Sequence, residues 1–404
     1  MNPSTSKRFF YFVISLVLLV INPLSNPVVV NELLLASKDF IIVKNPKRLP
    51  SHIPCTRIPL GVNADYKPCI ARLKSGELLV VAFAQRETRG KRDEYFISFR
   101  STDEGRTWGP RTELKNGIIG AREPFVTVLR DGTLLMSAHI LPGDPDNIMP
   151  THWYSFIFRS TDEGHTWSSL VLGPKNWPAK ASVATDRRAV QLSDDTVLMG
   201  VSTGRPNVRT AMWRSTNSGK TWDQSMLCKN EGWSDTDGFF SNSETFVLAS
   251  GDLLHINRVE GRNHPLKGST FPGGNDNTDR SILWKSTNEG KTWRRVRNMG
   301  GYGLMYPQLL QLQDGRILYN FTVRALAYPL GIQAIVNYDQ GVTWNFETDR
   351  LIIESKTPKG LASGGGYGNT IQLSDGTLIT SYSYRGEDHE THLEIVRWRL
   401  PESK

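Results

Sequence analysis

The sequence predicts an all-β protein, a six-bladed β-propeller built of four-stranded antiparallel blades. Two interleaved repeats carry that prediction. An octapeptide of pattern Ser-Thr-Asp/Asn-x-Gly-x-Thr-Trp occupies 101–108, 160–167, 215–222 and 286–293, with a degenerate copy at 337–344. Between the copies lie hairpins, each an apolar strand, a tight turn and a second apolar strand. Their turns are Ser75-Gly76, Asp131-Gly132, Asp194-Asp195, Ser250-Gly251, Asp314-Gly315 and Asp375-Gly376. A hairpin plus an octapeptide-centred hairpin makes one four-stranded meander, and six such units in tandem are the sequence form of a propeller.

Each element has its own local logic. In the octapeptide, Asp or Asn at the third position bonds backbone amides further on, and Gly at the fifth supplies a positive φ. Thr and Trp then open the return strand, the indole packing between sheets. The segments ahead of the copies, such as 95–99, 156–158, 211–213, 282–284 and 332–336, read as strands from their apolar and β-branched content. No octapeptide follows His392–Leu400, so the sixth unit lacks an outer strand. Asp39–Val43, an apolar stretch near the N-terminus, is expected to supply it and close the ring.

The ends and the composition bound the function. Lys7-Arg8 precedes an apolar run from Phe9 to Ile21, then Asn22-Pro23. Residues 1–30 therefore read as a secretory signal or an uncleaved signal anchor, and 31–404 as one propeller. The protein is expected to be exported, with membrane attachment only through that segment. A formal charge of +8 is spread without a basic run, and no nucleic-acid module is present. No zinc spacing and no phosphate-binding Gly loop appears, so no cofactor and no metal is expected. A monomer is expected. Of three cysteines, Cys55 and Cys69 are available to pair in an oxidising compartment, which leaves Cys228 free.

Hairpin register collects charge at one end. In every hairpin the first strand begins where the second ends, at one mouth of the central channel. Counted from the turns, Arg86, Arg205, Arg324 and Arg385 stand at equivalent points, and Arg258 and Arg262 bracket that point in the fourth hairpin. The second hairpin offers His139. The first strands add Lys67, Arg122, Glu123, Arg187, Arg188, Glu244, Tyr306 and Tyr367. A ring of arginines suits planar, bidentate capture of a carboxylate or sulfate.

The octapeptide resembles the Asp-box, or BNR repeat, of the sialidase superfamily, and the similarity covers roughly residues 55–400. The resemblance implies a propeller with its Asp-boxes at the periphery, away from the chemistry. It also implies a terminal glycosidic bond of an anionic glycan as substrate, and an exo-α-sialidase as the narrowest case. That family uses a tyrosine nucleophile activated by a glutamate, an aspartate acid/base and an arginine triad for the sialate carboxylate. A phenol of pKa ~10 needs a carboxylate to take its proton. Gly366-Tyr367-Gly368 is similar to the nucleophile segment, which makes Tyr367 the candidate. Asn242-Ser243-Glu244 and Ile256-Asn257-Arg258 are similar to the segment of the glutamate and second arginine. Glu244 is thereby the candidate base and Arg258 a clamp, joined by Arg324 and Arg385. Asp93 falls near the acid/base aspartate.

The chain departs from that pattern at the first arginine. The family opens its first blade with Arg-Ile-Pro, Pro eight residues before the turn Gly. Here Tyr66-Lys67-Pro68 takes that place, Lys67 substituting for the arginine, and the literal Arg57-Ile58-Pro59 lies outside the hairpin. Other chemistries stay open. Glu123, Glu244, Asp186 and Glu260 offer paired carboxylates for an ordinary glycosidase, and a Tyr/His pair beside arginines suits a lyase acting on uronates. A propeller that only binds a glycan or a protein partner is the alternative of a different class. The tyrosine mechanism with Glu244 as base requires Tyr367 and Glu244 within hydrogen-bond reach.

Overall fold

The computed structural model describes residues 39–402, apart from 89–90, 115–120, 141–153, 172–182, 204–209, 227, 232–240, 260–278, 325–328 and 359–366. The signal-like segment 1–30 lies outside the described residues. Apolar runs punctuated by polar turns fold throughout as antiparallel meanders. β1 (Asp39–Lys44) and β2 (His52–Leu60) pair as an N-terminal hairpin. β3 (Asp65–Arg72), β4 (Leu78–Thr88), β5 (Lys91–Ser101) and β6 (Thr112–Glu113) form the first meander in chain order. β7 (Ala121–Val128), β8 (Leu134–Ile140), β9 (Tyr154–Ser160) and β10 (Ser168–Val171) form the second. In the third, β13 (Val197–Thr203) pairs with the broken first strand, β11 (Val183–Thr185) and β12 (Val190–Gln191), and with β14 (Thr210–Ser215). The fourth runs β16 (Ser241–Val247), β17 (Leu253–Val259), β18 (Arg280–Ser286), β19 (Thr292–Asn298), with β15 (Lys229–Glu231) added parallel to β19.

The remaining strands share one nine-stranded sheet. It joins β20 (Leu304–Gln311), β21 (Ile317–Val323), β22 (Gly331–Asn337) and β23 (Arg350–Ile352) to β24 (Gly368–Gln372), β25 (Leu378–Arg385) and β26 (Thr391–Trp398). The β1–β2 hairpin is the link: β1 pairs with β23 and β2 pairs with β26. This corrects the expected closure. β2 supplies the outer strand beyond β26, and Asp39–Val43 extends the preceding meander. The apolar alternation that marks 39–43 continues through Ile53 and Cys55 of β2, so both strands present an inner face to one core with Leu351 and Val396.

The turn chemistry is as the sequence reads, with one addition. Gly76, Gly132, Gly251, Gly315 and Gly376 all take positive φ, and Asp195 takes the same place in the third hairpin at φ 68°. In the octapeptides the fourth residue is also left-handed, from 53° at Ser218 to 60° at Glu104. In the first copy Ser101 Oγ accepts from Gly105 N at 2.8 Å, and Asp103 accepts from Thr107 N at 2.9 Å and from Thr107 Oγ1 at 2.6 Å. These boxes cap the outer turns.

Central strands are buried on both faces: Leu78 to Ala84 of β4 are all at most 1 % exposed. Apolar side chains of neighbouring meanders interlock, as Phe83 and Phe96 do with Phe125, Met136 and Phe158. Each such seam contributes on the order of 2 kcal/mol per buried large side chain. Rigid seams fix where the first strands begin, and there four of them bulge. Register shifts fall between Tyr66 and Cys69, Arg122 and Phe125, Ser241 and Glu244, and Met305 and Gln308.

Candidate active site at the first-strand bulges

In three of the bulges a residue with left-handed φ precedes a proline: Lys67 at 53°, Glu123 at 56° and Tyr306 at 54°. A non-glycine residue held there costs of order 1 kcal/mol or more. The bulge turns each side chain out of the sheet alternation, and the three converge. Lys67 Nζ donates to Glu123 Oε1, and Tyr367 Oη donates to Glu123 Oε2. Tyr367 stands just ahead of β24, where Gly368 lets the backbone lie against Ser381 O of β25 with no Cβ between them.

The two tyrosine rings of the cluster pack together, Tyr306 against Tyr367 with centroids 4.0 Å apart. Tyr306 Oη accepts from Arg324 Nη1 at 2.7 Å and from Arg258 Nη1 at 3.4 Å. Arg258 in turn donates from Nε to Asp279 Oδ2 at 2.6 Å. Arg187 pins the pair from beneath. Its guanidinium lies 4.8 Å from the Tyr367 ring centroid and 4.7 Å from that of Phe125. It donates to the carbonyls of Tyr306 and Pro307, each at 3.3 Å, and of Gly368 at 3.1 Å. A second layer holds Arg122 against Glu94, with Gln85 bridging Glu94 at 2.8 Å and Tyr66 Oη at 3.0 Å.

The electrostatics follow from burial and from these pairs. Burial works to raise the Glu123 carboxyl, but Lys67, His139 and the hydrogen bond from Tyr367 outweigh it and hold it at about 2. Burial pushes the Tyr367 phenol well above its ordinary ~10, and the charge on Glu123 pushes it further. Burial lowers Lys67 and His139, with Glu123 opposing in both cases. The resting cluster therefore holds an ionised carboxylate and a protonated Tyr367 phenol.

The sequence candidates divide. Tyr367, Glu123 and Lys67 meet in one hydrogen-bonded group, Arg258 and Arg324 meet on Tyr306, and Arg122 flanks them. Glu244 does not reach Tyr367. It is fully buried, with Oε1 accepting from Arg188 Nη2 at 2.7 Å and from Leu309 N at 3.0 Å, and its Oε2 has no hydrogen-bond partner. Placing Glu244 as the base of Tyr367 is thus corrected: one strand register deeper, its carboxylate serves Arg188, and the carboxylate at Tyr367 is Glu123. Arg86 is exposed, bound to Glu113 at 3.0 Å and stacked over Tyr95. Arg385 engages Thr357 through its backbone, and none of its described contacts reaches the cluster. Asp93 sits in β5 opposite Arg86. Its side chain, with Arg205, Glu260, Arg262 and His264, lies outside the described residues. Arg57 lies in β2, where it binds Tyr382 Oη and Ile353 O, each at 2.7 Å. Cys55 and Cys69 do not pair; all three cysteines are free thiols.

Tyr306, Asp279 and Glu94 hold places that sequence reasoning leaves without a role. A signal for Tyr306 exists: a proline eight residues before the turn glycine occurs three times, as Pro68, Pro124 and Pro307 before Gly76, Gly132 and Gly315. Each marks a bulge residue of the site. Among the described residues, no group of three His, Cys, Asp or Glu side chains is placed to hold a metal ion. None of their helices is long and apolar enough to cross a membrane.

A family described as a BNR repeat-like domain matches residues 61–319. A protein of unknown function from Dyadobacter fermentans has a similar structure, with TM-score 0.65 and 18% identity over 90% of this chain and 99% of that one. The α-L-arabinofuranosidase of Fusarium graminearum, solved with an iminosugar inhibitor, gives TM-score 0.59 and 13% identity over 89% and 98%. The Trypanosoma rangeli sialidase, solved with the inhibitor DANA, gives 0.54 and 15% over 89% of this chain and 58% of that one. No curated protein matches the sequence. At these identities the likenesses show a common fold, the BNR-type propeller.

Proposed function

The chain belongs to the family of BNR repeat-like domains, and from that membership we propose a glycoside hydrolase that cleaves a terminal sugar from an anionic glycan. Its ring would have six blades, one for each hairpin turn, with the bulge cluster at one mouth of the channel. The observation that carries the reading is the Tyr367–Glu123–Lys67 group packed against a tyrosine bound by two arginines. A phenol oxygen can attack an anomeric carbon without the charge repulsion that a carboxylate would meet on an anionic sugar. Arg258, Arg324 and Lys67 supply positive potential around that oxygen, with Arg122 at the flank. Asp93, on β5 beside this end of the sheet, is the proposed proton donor to the leaving oxygen. The segment 1–30, basic and then apolar, supports export, and the product of that export is taken to be a monomer.

Turnover of a panel of sialosides, uronic-acid glycosides and neutral glycosides tests the reading. The wild type should hydrolyse at least one anionic member, and Tyr367→Phe and Glu123→Gln should each lower kcat/KM by about 10²–10⁴. Turnover of neutral glycosides alone would reject the anionic substrate. No turnover on any member would leave a non-catalytic glycan-binding propeller as the better account.

A further inference from the structure

We propose that the groove between the last strands of the fourth and fifth meanders is a non-catalytic binding site for a carboxylate-bearing sugar unit of a glycan. The proposal does not depend on the hydrolase reading. The bulge cluster sits on first strands, whereas this groove is walled by β19 and by the segment that leads into β23. It encloses about 860 Å³ between the end of β19, the link from β19 to β20, and residues Thr343 to Arg350. That size is in the range of small-ligand sites.

Strand register aims an arginine into the groove from each wall. On β19 a bulge puts Arg295 opposite Trp284 and Arg297 opposite Leu283. Leu283 packs in the core shared with the fifth meander, so Arg297 stands on the face towards that meander. On β23, Leu351 packs with the N-terminal hairpin, and side-chain alternation puts Arg350 on the other face. Its guanidinium lies 5.4 Å from the Phe321 ring centroid. Arg350 gives Nε to Gln333 Oε1, while its Nη2 is buried with no hydrogen-bond partner. Arg297 gives Nε to the Asn298 carbonyl at 3.4 Å. Among the described residues, neither guanidinium has a carboxylate within ion-pair distance. Burial lowers Arg350, with Glu347 opposing. Two guanidinium groups with unused donors suit capture of a carboxylate.

The other lining residues say what carries that carboxylate. Tyr302, 41 % exposed, and half-buried Phe346 supply aromatic surface to the groove. Such rings take the apolar face of a pyranose and leave its hydroxyls free to bond at the edge. Glu347 is exposed in the same groove, and its carboxylate makes no hydrogen bond or ion pair with a described residue. It can only accept. A fitting ligand therefore brings one anionic group for the arginines and hydroxyl donors for Glu347. A carboxylate-bearing sugar brings both, whereas a phosphate chain brings acceptors alone. The link between β19 and β20 keeps the groove open. A Cβ at Gly300 would strike Leu304 Cδ1 at 2.4 Å and Phe346 Cε1 at 3.0 Å, but one at Gly301 would meet nothing within 4 Å.

Calorimetric titration with a hyaluronan tetrasaccharide tests the proposal, with chitotetraose as the neutral control. The wild type should bind the hyaluronan probe saturably, and chitotetraose at least about 10-fold more weakly. Arg350→Gln and Arg297→Gln should each weaken hyaluronan binding by about 10-fold or more. Gly301→Trp should block it, and the open space at Gly301 lets that variant fold even if an arginine variant does not. An Arg258→Gln/Arg324→Gln double variant, altered only at the bulge cluster, should bind the probe as the wild type does. Absence of saturable binding overturns the proposal, as does binding that survives Gly301→Trp and is lost in the double variant. An oligoglutamate peptide bound as tightly through Arg297 and Arg350 would make the ligand an acidic peptide and overturn it too. The readout is binding alone, so the result stands whether or not the protein turns over any glycan.

Discussion

Glu123 is the residue on which the cluster turns, because both of its oxygens are committed. Lys67 and Tyr367 each lose a hydrogen bond if the carboxylate is removed. A buried ammonium left without its counter-ion costs roughly 3–5 kcal/mol, so Glu123→Gln should lower stability by about 3 kcal/mol at neutral pH. The pH dependence has a definite sign. The carboxyl is held at about 2 in the fold against an ordinary value of 4.5. Its contribution is therefore complete above about pH 4.5 and is lost as pH falls towards 2. Denaturant unfolding between pH 2 and 7 should show a steeper acid loss in the wild type than in Glu123→Gln. Parallel curves would mean that Glu123 is not held as a charged partner. At this scale the sequence names most of the participants. Lys67, Glu123, Tyr367, Arg258 and Arg324 are all legible from hairpin register. Which carboxylate meets which phenol is not legible, because Glu123 and Tyr367 are 244 positions apart.

Among the elements, the outer turns and the first-strand bulges share a device, a left-handed residue that re-aims the chain, and use it for different ends. In the octapeptides it closes a capped turn. Asp103 accepts from Ser101 Oγ, Arg106 N, Thr107 N and Thr107 Oγ1. Asp103→Ala should cost about 1–2 kcal/mol, as the loss of a multiply bonded cap does, with no change in any site-dependent property. A thermal unfolding midpoint equal to that of the wild type would show that the box is not a stability element. In the bulges the same conformation turns Lys67, Glu123 and Tyr306 towards one another. The octapeptide is plain in the sequence because its hydrogen bonds span eight residues. The bulge is harder to read, since its only local mark is a proline at a fixed distance from the turn glycine.

Over the whole molecule, the N-terminal hairpin decides how the sheet closes. β1 and β2 bridge β23 to β26 and bury Ile41 and Ile53 with Leu351 and Val396. Ile41→Ala should cost about 2–4 kcal/mol, measured by denaturant unfolding, although the residue lies far in sequence from both strands it joins. A change below about 0.5 kcal/mol would show that the hairpin is an accessory rather than the closure. The sequence by itself determined the all-β class, the meander repeat and the turn positions, since all of these depend on contacts within about a dozen residues. It also brought the cationic side chains to one end of the hairpins. Only the tertiary structure decided that β2 follows β26, that Glu123 and not Glu244 holds Tyr367, and that Arg258 and Arg324 converge on Tyr306. Those pairings join different meanders. They are set by how buried sheet faces pack, which no single segment of the chain records.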